Sequence, residues 1–317
     1  MAQRLLKQTI FPLQVLYSLF VVLITNPHET LRILQIVPQI LRGSLRAAHW
    51  HESLAASKDN QPTVSSGHQK TNNRLKEFFD ARTSGRGIWK WLHYFDIYDQ
   101  HFKKFVGKEV RILEIGIYSG GSLEMWKSYF GPKCHVYGVD ISEHCKRYED
   151  ESTTVFIGDQ GSESFWQEFK AKVPQVDIII DDGSHLPEHQ IITLEQMLPH
   201  ISGGGIYLCE DVHGTHNQFS AYISGFCTRL NGMSWQPDLD FQKWIHSIHQ
   251  YPFVTVIEKH LNRIDTLEAK KHGTLWDPLA LYDTGTQDNE KDTDIEEDCC
   301  TEQNNDPSPS QLASGAV

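Results

Sequence analysis

Val110-Arg111-Ile112-Leu113-Glu114-Ile115-Gly116-Ile117-Tyr118-Ser119-Gly120-Gly121 decides the fold. A short apolar run ends in glycines, and residues 122–129 behind it carry helical spacing. A buried strand feeding a crossover helix produces that pattern. Further apolar runs follow at residues 136–139, 153–157, 176–180, 205–209 and 253–257. Helical stretches at 164–171 and 188–198 separate some of them. Strands alternating with helices predict a doubly wound α/β domain with a mostly parallel sheet. In that architecture ligands lie beyond the carboxyl ends of the strands.

The strand ends carry the chemistry. Gly116, Gly120 and Gly121 stand where a ligand approaches backbone. Their spacing departs from G-x-G-x-x-G and lacks the glycine that admits a pyrophosphate, which disfavours NAD. The second strand ends at Asp140, able to accept from both ribose hydroxyls. The third ends at Asp159-Gln160, a polar pair suited to an adenine edge. Glu114, at the end of the first strand, and Asp181, at the end of the fourth, complete the cofactor-side set. A glycine turn, then acids after the second and third strands, is the order found in class I S-adenosylmethionine-dependent methyltransferases.

The fourth strand delivers Asp181-Asp182-Gly183-Ser184-His185 and the fifth Glu210-Asp211-Val212-His213. Asp182, Glu210 and Asp211 are expected to converge, and crowded carboxylates repel unless a cation lies among them. Oxygen ligation favours Mg²⁺ over zinc or copper. Such a metal lowers the pKa of a substrate hydroxyl, and His185 is placed to take the proton. His189, His213 and His216 are read as rim or supporting residues.

The 317 residues suit one large domain or two small ones. The net charge of -12 is concentrated at one end. From Asp283 onward ten acids face one base, leaving about -3 for the rest. A near-neutral body argues against nucleic acid as the main partner. The 6 cysteines follow no zinc or disulfide spacing, and no Asn-x-Ser/Thr triplet occurs, which fits a reducing compartment. Residues 10–24 are apolar apart from Gln14 and Ser18, short for a spanning helix. Residues 31–41 carry an amphipathic pattern interrupted by Pro38. The expected organisation is hydrophobic and amphipathic helices over 1–50 (a membrane anchor, an oligomer contact or a removed organelle-targeting peptide), a polar linker over 51–75, the catalytic domain over 76–283 and a disordered acidic tail over 284–317. The catalytic domain would then face the cytosol at a membrane, the alternative being a soluble cytoplasmic protein.

From Gly87 to about Pro278 the chain resembles the metal-dependent macrolide sugar O-methyltransferases, also called cephalosporin hydroxylase-like. The residues that carry the likeness are Gly87-Ile88-Trp89-Lys90-Trp91-Leu92-His93-Tyr94-Phe95, Leu113-Glu114-Ile115-Gly116, Asp181-Asp182-Gly183-Ser184-His185 and Glu210-Asp211-Val212-His213. The resemblance implies a Rossmann-like methyltransferase fold, Asp182, Glu210 and Asp211 as Mg²⁺ ligands, and His185 as catalytic base. It departs from the family at the apolar N-terminal stretch and the acidic tail. The expected function is Mg²⁺-dependent methyl transfer from S-adenosylmethionine to a hydroxyl of a small lipophilic or glycosylated metabolite, with Trp89, Trp91, Tyr94 and Trp244 as candidate acceptor-pocket aromatics. Two alternatives are a hydroxylase or oxygenase with iron on Asp182, His185 and His189, and a catalytically silent membrane-tethered binding protein.

Overall fold

The computed structural model describes residues 34, 37–38, 41–50, 73–214, 217–231, 241–265 and 267–273. The apolar run 10–24 and the acidic tail lie outside them, as does nearly all of the 51–75 stretch. The chain divides into Met1–Glu77 and Phe78–Val317. In the first unit, residues 41–50 form an exposed helical stretch that includes Leu41, Leu45 and Trp50. Among the described residues no helix is long and apolar enough to cross a membrane.

The elements begin with α1 (Arg74–Asp80) and α2 (Tyr94–Phe102). They continue as β1 (Val110–Ile115), α3 (Gly121–Phe130), β2 (Cys134–Asp140), β3 (Thr153–Ile157) and α4 (Glu163–Lys172). Then follow β4 (Val176–Asp181), α5 (Pro187–Met197), β5 (Ile201–Cys209) and α6 (Gln218–Leu230). A one-turn α7 (Phe241–Trp244) precedes the hairpin of β6 (Ile245–Tyr251) and β7 (Val254–Lys259).

The seven strands form one sheet in the order β3-β2-β1-β4-β5-β7-β6. β1 pairs in parallel with β2 on one side and β4 on the other, so strand order reverses between β1 and β4. That reversal opens a crevice at the carboxyl ends. β7 runs antiparallel to β5 and β6. The sheet is therefore mostly parallel with an antiparallel edge, which moderates the parallel expectation at the last apolar run.

Burial follows the sequence pattern. Ile112, Leu113, Ile178, Ile179, Ile206 and Leu208 are fully buried, as strands covered on both faces should be. Trp166 and Phe169 of α4 pack with Leu194 and Met197 of α5 into one core cluster. On α2, Tyr98 stacks on Phe102, and both meet Trp126 of α3 edge-on, with Tyr98–Trp126 ring centroids 5.2 Å apart. This aromatic packing fixes α2, whose tyrosine hydroxyls enter the site described next. At the N-termini of two helices a side chain caps free N–H groups: Ser162 accepts from Phe165 N and Asn217 from Ser220 N.

Candidate active site

The site is assembled from strand ends and one segment that crosses in front of them. At the β1 turn, Gly116 has φ +85° and Gly120 φ +73°. A Cβ on Gly116 would lie 2.1 Å from the Asp182 carbonyl oxygen, and one on Gly121 would lie 2.2 Å from that of Gly87. The glycines thus let the turn after β4 and the 86–91 segment press onto the β1 turn, so protein backbone fills space read in the sequence as room for a ligand. The segment is held by Arg82 on Glu124 at 2.7 Å, by Arg86 over the Tyr148 ring and by Ser119 Oγ donating to Gly87 O.

That segment presents Lys90 to the carboxylates. Its ammonium is 2.5 Å from Asp182 Oδ2 and 2.8 Å from Glu210 Oε2, with 3% of its side chain exposed. Burial disfavours the charge, but Asp182, Glu210 and Glu114 outweigh it and hold the lysine pKa well above the usual range. Tyr98 donates to Glu210 Oε1 at 2.6 Å, and burial followed by the Glu210 charge pushes its phenol upward. Glu210 is itself raised, first by burial and then by Asp182, against the pull of Lys90. Asp211 Oδ1 accepts from Tyr94 OH at 2.7 Å and from Trp91 Nε1 at 3.0 Å.

The remaining oxygens face His185. Its Nε2 lies 3.5 Å from Asp211 Oδ2 and 3.9 Å from Asp182 Oδ1. Asp182, His185 and Asp211 each offer an atom within 4.8 Å of the others. Glu210 stands outside this triplet, with both oxygens engaged by Lys90 and Tyr98. His185 and Asp211 adopt φ of +56° and +54°, an unusual conformation for side-chain-bearing residues that aims both toward one point. His185 Nδ1 is buried without a hydrogen-bond partner among the described residues. An oxygen-rich cluster with an unsatisfied imidazole fits a hydrated Mg²⁺ and a proton acceptor.

The cofactor-side residues divide in two. Asp140 lies partly exposed at the end of β2, where its carboxylate accepts from Tyr118 N and Ser142 N. Asp159 is exposed and accepts from Gly161 N. Gln160 and Asp181 are buried. Gln160 donates to Asp181 Oδ1 and accepts from Ser184 N, and Tyr207 donates to Asp181 Oδ2. Burial pushes Asp181 up to about 6 despite these donors. Both side chains brace the Gly183–Ser184 turn. Glu114 is also buried, accepts from Ser122 Oγ, and is pushed up to about 7 by burial against the attraction of Lys90.

Several sequence candidates separate here. Trp91 lies at the site, whereas Trp89 is 92% exposed. Trp244 lies at the far end of the β6–β7 hairpin over Lys259 and Arg263. His189 meets Ser184 Oγ and is 3.9 Å from Asp159, outside the Asp182 triplet, so the two-histidine iron arrangement is not formed. His216 lies outside the described residues. Lys90 and Tyr98 had no assigned role in the sequence reading, although a lone lysine between two tryptophans and tyrosines spaced four apart were visible. A second metal-capable group, His101, His249 and Glu258, is accounted for by its own contacts: His101 bonds Glu258 and Tyr251, and Lys104 bonds Glu258.

No protein-family model matches the chain. Demethylmacrocin O-methyltransferase of Streptomyces fradiae is 40% identical over 146 residues, 44% of this chain and 35% of that protein. The 8-demethyl-8-alpha-L-rhamnosyl tetracenomycin-C 2'-O-methyltransferase of Streptomyces olivaceus is 31% identical over 206 residues, 57% of this chain and 54% of the relative. The chain therefore spans about a third to a half of the curated relatives it matches. Among solved structures, MycE methyltransferase from the mycinamycin biosynthetic pathway, in complex with Mg and SAH, superposes with a TM-score of 0.53 at 26% identity, covering 61% of this chain and 55% of that one. Over the residues that match, the chain is similar in sequence and in fold to these O-methyltransferases.

Proposed function

We propose that the chain is an Mg²⁺-dependent O-methyltransferase that moves a methyl group from S-adenosylmethionine to a hydroxyl of a glycosylated small molecule. The observation that carries this reading is the convergence of Asp182, His185 and Asp211 at the strand ends beside the β1 glycine turn. The relatives' names support the acceptor class, since one acts on a rhamnosyl group and MycE was solved with Mg, SAH and mycinamycin VI.

In this reading Asp182 and Asp211, joined by Glu210, would hold the metal, which would supply the positive charge that lowers the pKa of the acceptor hydroxyl. His185 Nε2 takes the hydroxyl proton, and the two flanking carboxylates stabilise the imidazolium it becomes. Tyr94 and Trp91 fix the Asp211 carboxylate by holding its Oδ1, leaving Oδ2 toward His185. The acceptor oxygen forms a bond to the sulfonium methyl as the carbon–sulfur bond breaks, releasing S-adenosylhomocysteine. Gly116, Gly120 and Gly121 shape the cofactor turn, Asp140 takes the ribose and Asp159 the adenine edge. Glu114, Gln160 and Asp181 support these loops from below. Holding the two reactants together supplies much of the acceleration.

Calorimetric titration of S-adenosylmethionine into the full chain tests the reading. Micromolar binding is expected with Mg²⁺ and after chelation, and it should persist in Asp182→Ala while Mg²⁺ binding is lost. Well-folded protein that binds no S-adenosylmethionine under either condition would refute it.

A further inference from the structure

We propose that the Lys90 ammonium is the resident counter-cation of the metal-free carboxylate cluster, and that a divalent metal enters by taking Asp182 Oδ2 and Glu210 Oε2 from it. The inference rests on the metal-dependent reading above and adds a displacement step to it.

The oxygens argue for the exchange. Glu210 accepts at both oxygens, Oε1 from Tyr98 and Oε2 from Lys90. Asp182 has given Oδ2 to the same ammonium, and only its Oδ1 faces His185. The metal-capable triplet contains Asp182 and Asp211 but not Glu210, the most buried of the three acids. The buried Glu210 carboxylate beside the partly buried Asp182 is costly without a positive partner, and Lys90 supplies one. A carboxylate oxygen that accepts one hydrogen bond keeps a second lone pair, so Tyr98 can stay on Oε1. The ammonium, which bridges Asp182 Oδ2 and Glu210 Oε2, is a cation standing where a metal shared by those two oxygens would stand, and the two repel. Tyr98 is locked between Phe102 and Trp126 in the core, whereas Lys90 lies on a segment whose neighbours Trp89 and Trp91 are 92% and 52% exposed. Lysine is a point charge on a flexible four-carbon stem, and the geometry makes it the partner that moves.

Two measurements on the full chain test this. Lys90→Met keeps the apolar stem and removes the charge. Its Mg²⁺ affinity by calorimetry should exceed the wild type's by on the order of tenfold or more, because a cation a few ångströms from the metal is removed. In the wild type, a side-chain ammonium signal protected from exchange should be visible by NMR without metal, be absent from Lys90→Met and vanish at saturating Mg²⁺. Equal or weaker Mg²⁺ affinity in a folded Lys90→Met protein would overturn the inference. So would an ammonium signal that persists unchanged at saturation, a readout that holds even if the methionine variant does not fold, since Lys90→Arg then assigns the peak. Mg²⁺ binding by neither protein would instead refute the metal-dependent reading, and the inference with it.

Discussion

His185→Asn is expected to lower the proposed methyl transfer by about two to four orders of magnitude, the size of losing the base proposed above, while leaving any binding of S-adenosylmethionine and Mg²⁺ near wild type. Asparagine is chosen because His185 has φ +56°, where asparagine is among the better-tolerated residues. The substitution therefore removes the ring without adding backbone strain. The expectation follows from position: Nε2 is the only titratable nitrogen facing the free oxygens of both Asp182 and Asp211 among the described residues. Single-turnover kinetics with a methyl-labelled cofactor measure the effect. A loss of less than tenfold would move the proton to another acceptor and reduce His185 to a supporting role.

Gly116→Ala is expected to destabilise the domain by about 3–5 kcal/mol, at the upper end for one substitution. Two effects add. The backbone is left-handed at φ +85°, and the new methyl group would overlap the Asp182 carbonyl, a backbone atom that cannot rotate aside. Gly116 N donates to Val139 O and Asp182 N to Ile115 O, so the turn cannot retreat without breaking strand-end hydrogen bonds. Relief would carry Asp182 away from Lys90 and His185. Gly107→Ala separates the two effects, because Gly107 has φ +76° but open space around it. It should cost about 1–2 kcal/mol, the backbone component alone. Urea unfolding of both variants measures the difference. Equal losses would mean that the close approach at Gly116 relaxes cheaply.

The strands buried on both faces were legible because their chemistry is one-sided. Val110–Ile115 reads directly as an apolar run, and Val176–Asp181 needed only its terminal acid added; Thr153–Ile157, an edge strand with alternating burial, was legible from its β-branched and apolar residues. Ile245–Tyr251 escaped because an edge strand half open to water carries His246, Ser247, His249 and Gln250 in place of a β-branched run. Without it the antiparallel direction of Val254–Lys259 could not be inferred. At the site, Asp182, His185 and Asp211 were readable because adjacent strand ends must lie close. The tie of Glu210 to Lys90 was not, since it spans 120 positions and depends on how Gly87 lies over Gly121. The glycines were recognised as close-approach positions, but what approaches Gly116 and Gly121 is the chain's own backbone.

Diffraction at the manganese absorption edge, from crystals of the full chain grown with Mn²⁺ and S-adenosylhomocysteine, tests the central claim most directly. The account predicts one anomalous peak about 2.0–2.2 Å from carboxylate oxygens of Asp182 and Asp211, with S-adenosylhomocysteine seated against the β1 glycine turn. No peak at these carboxylates, or a peak only among His101, His249 and Glu258, would contradict it.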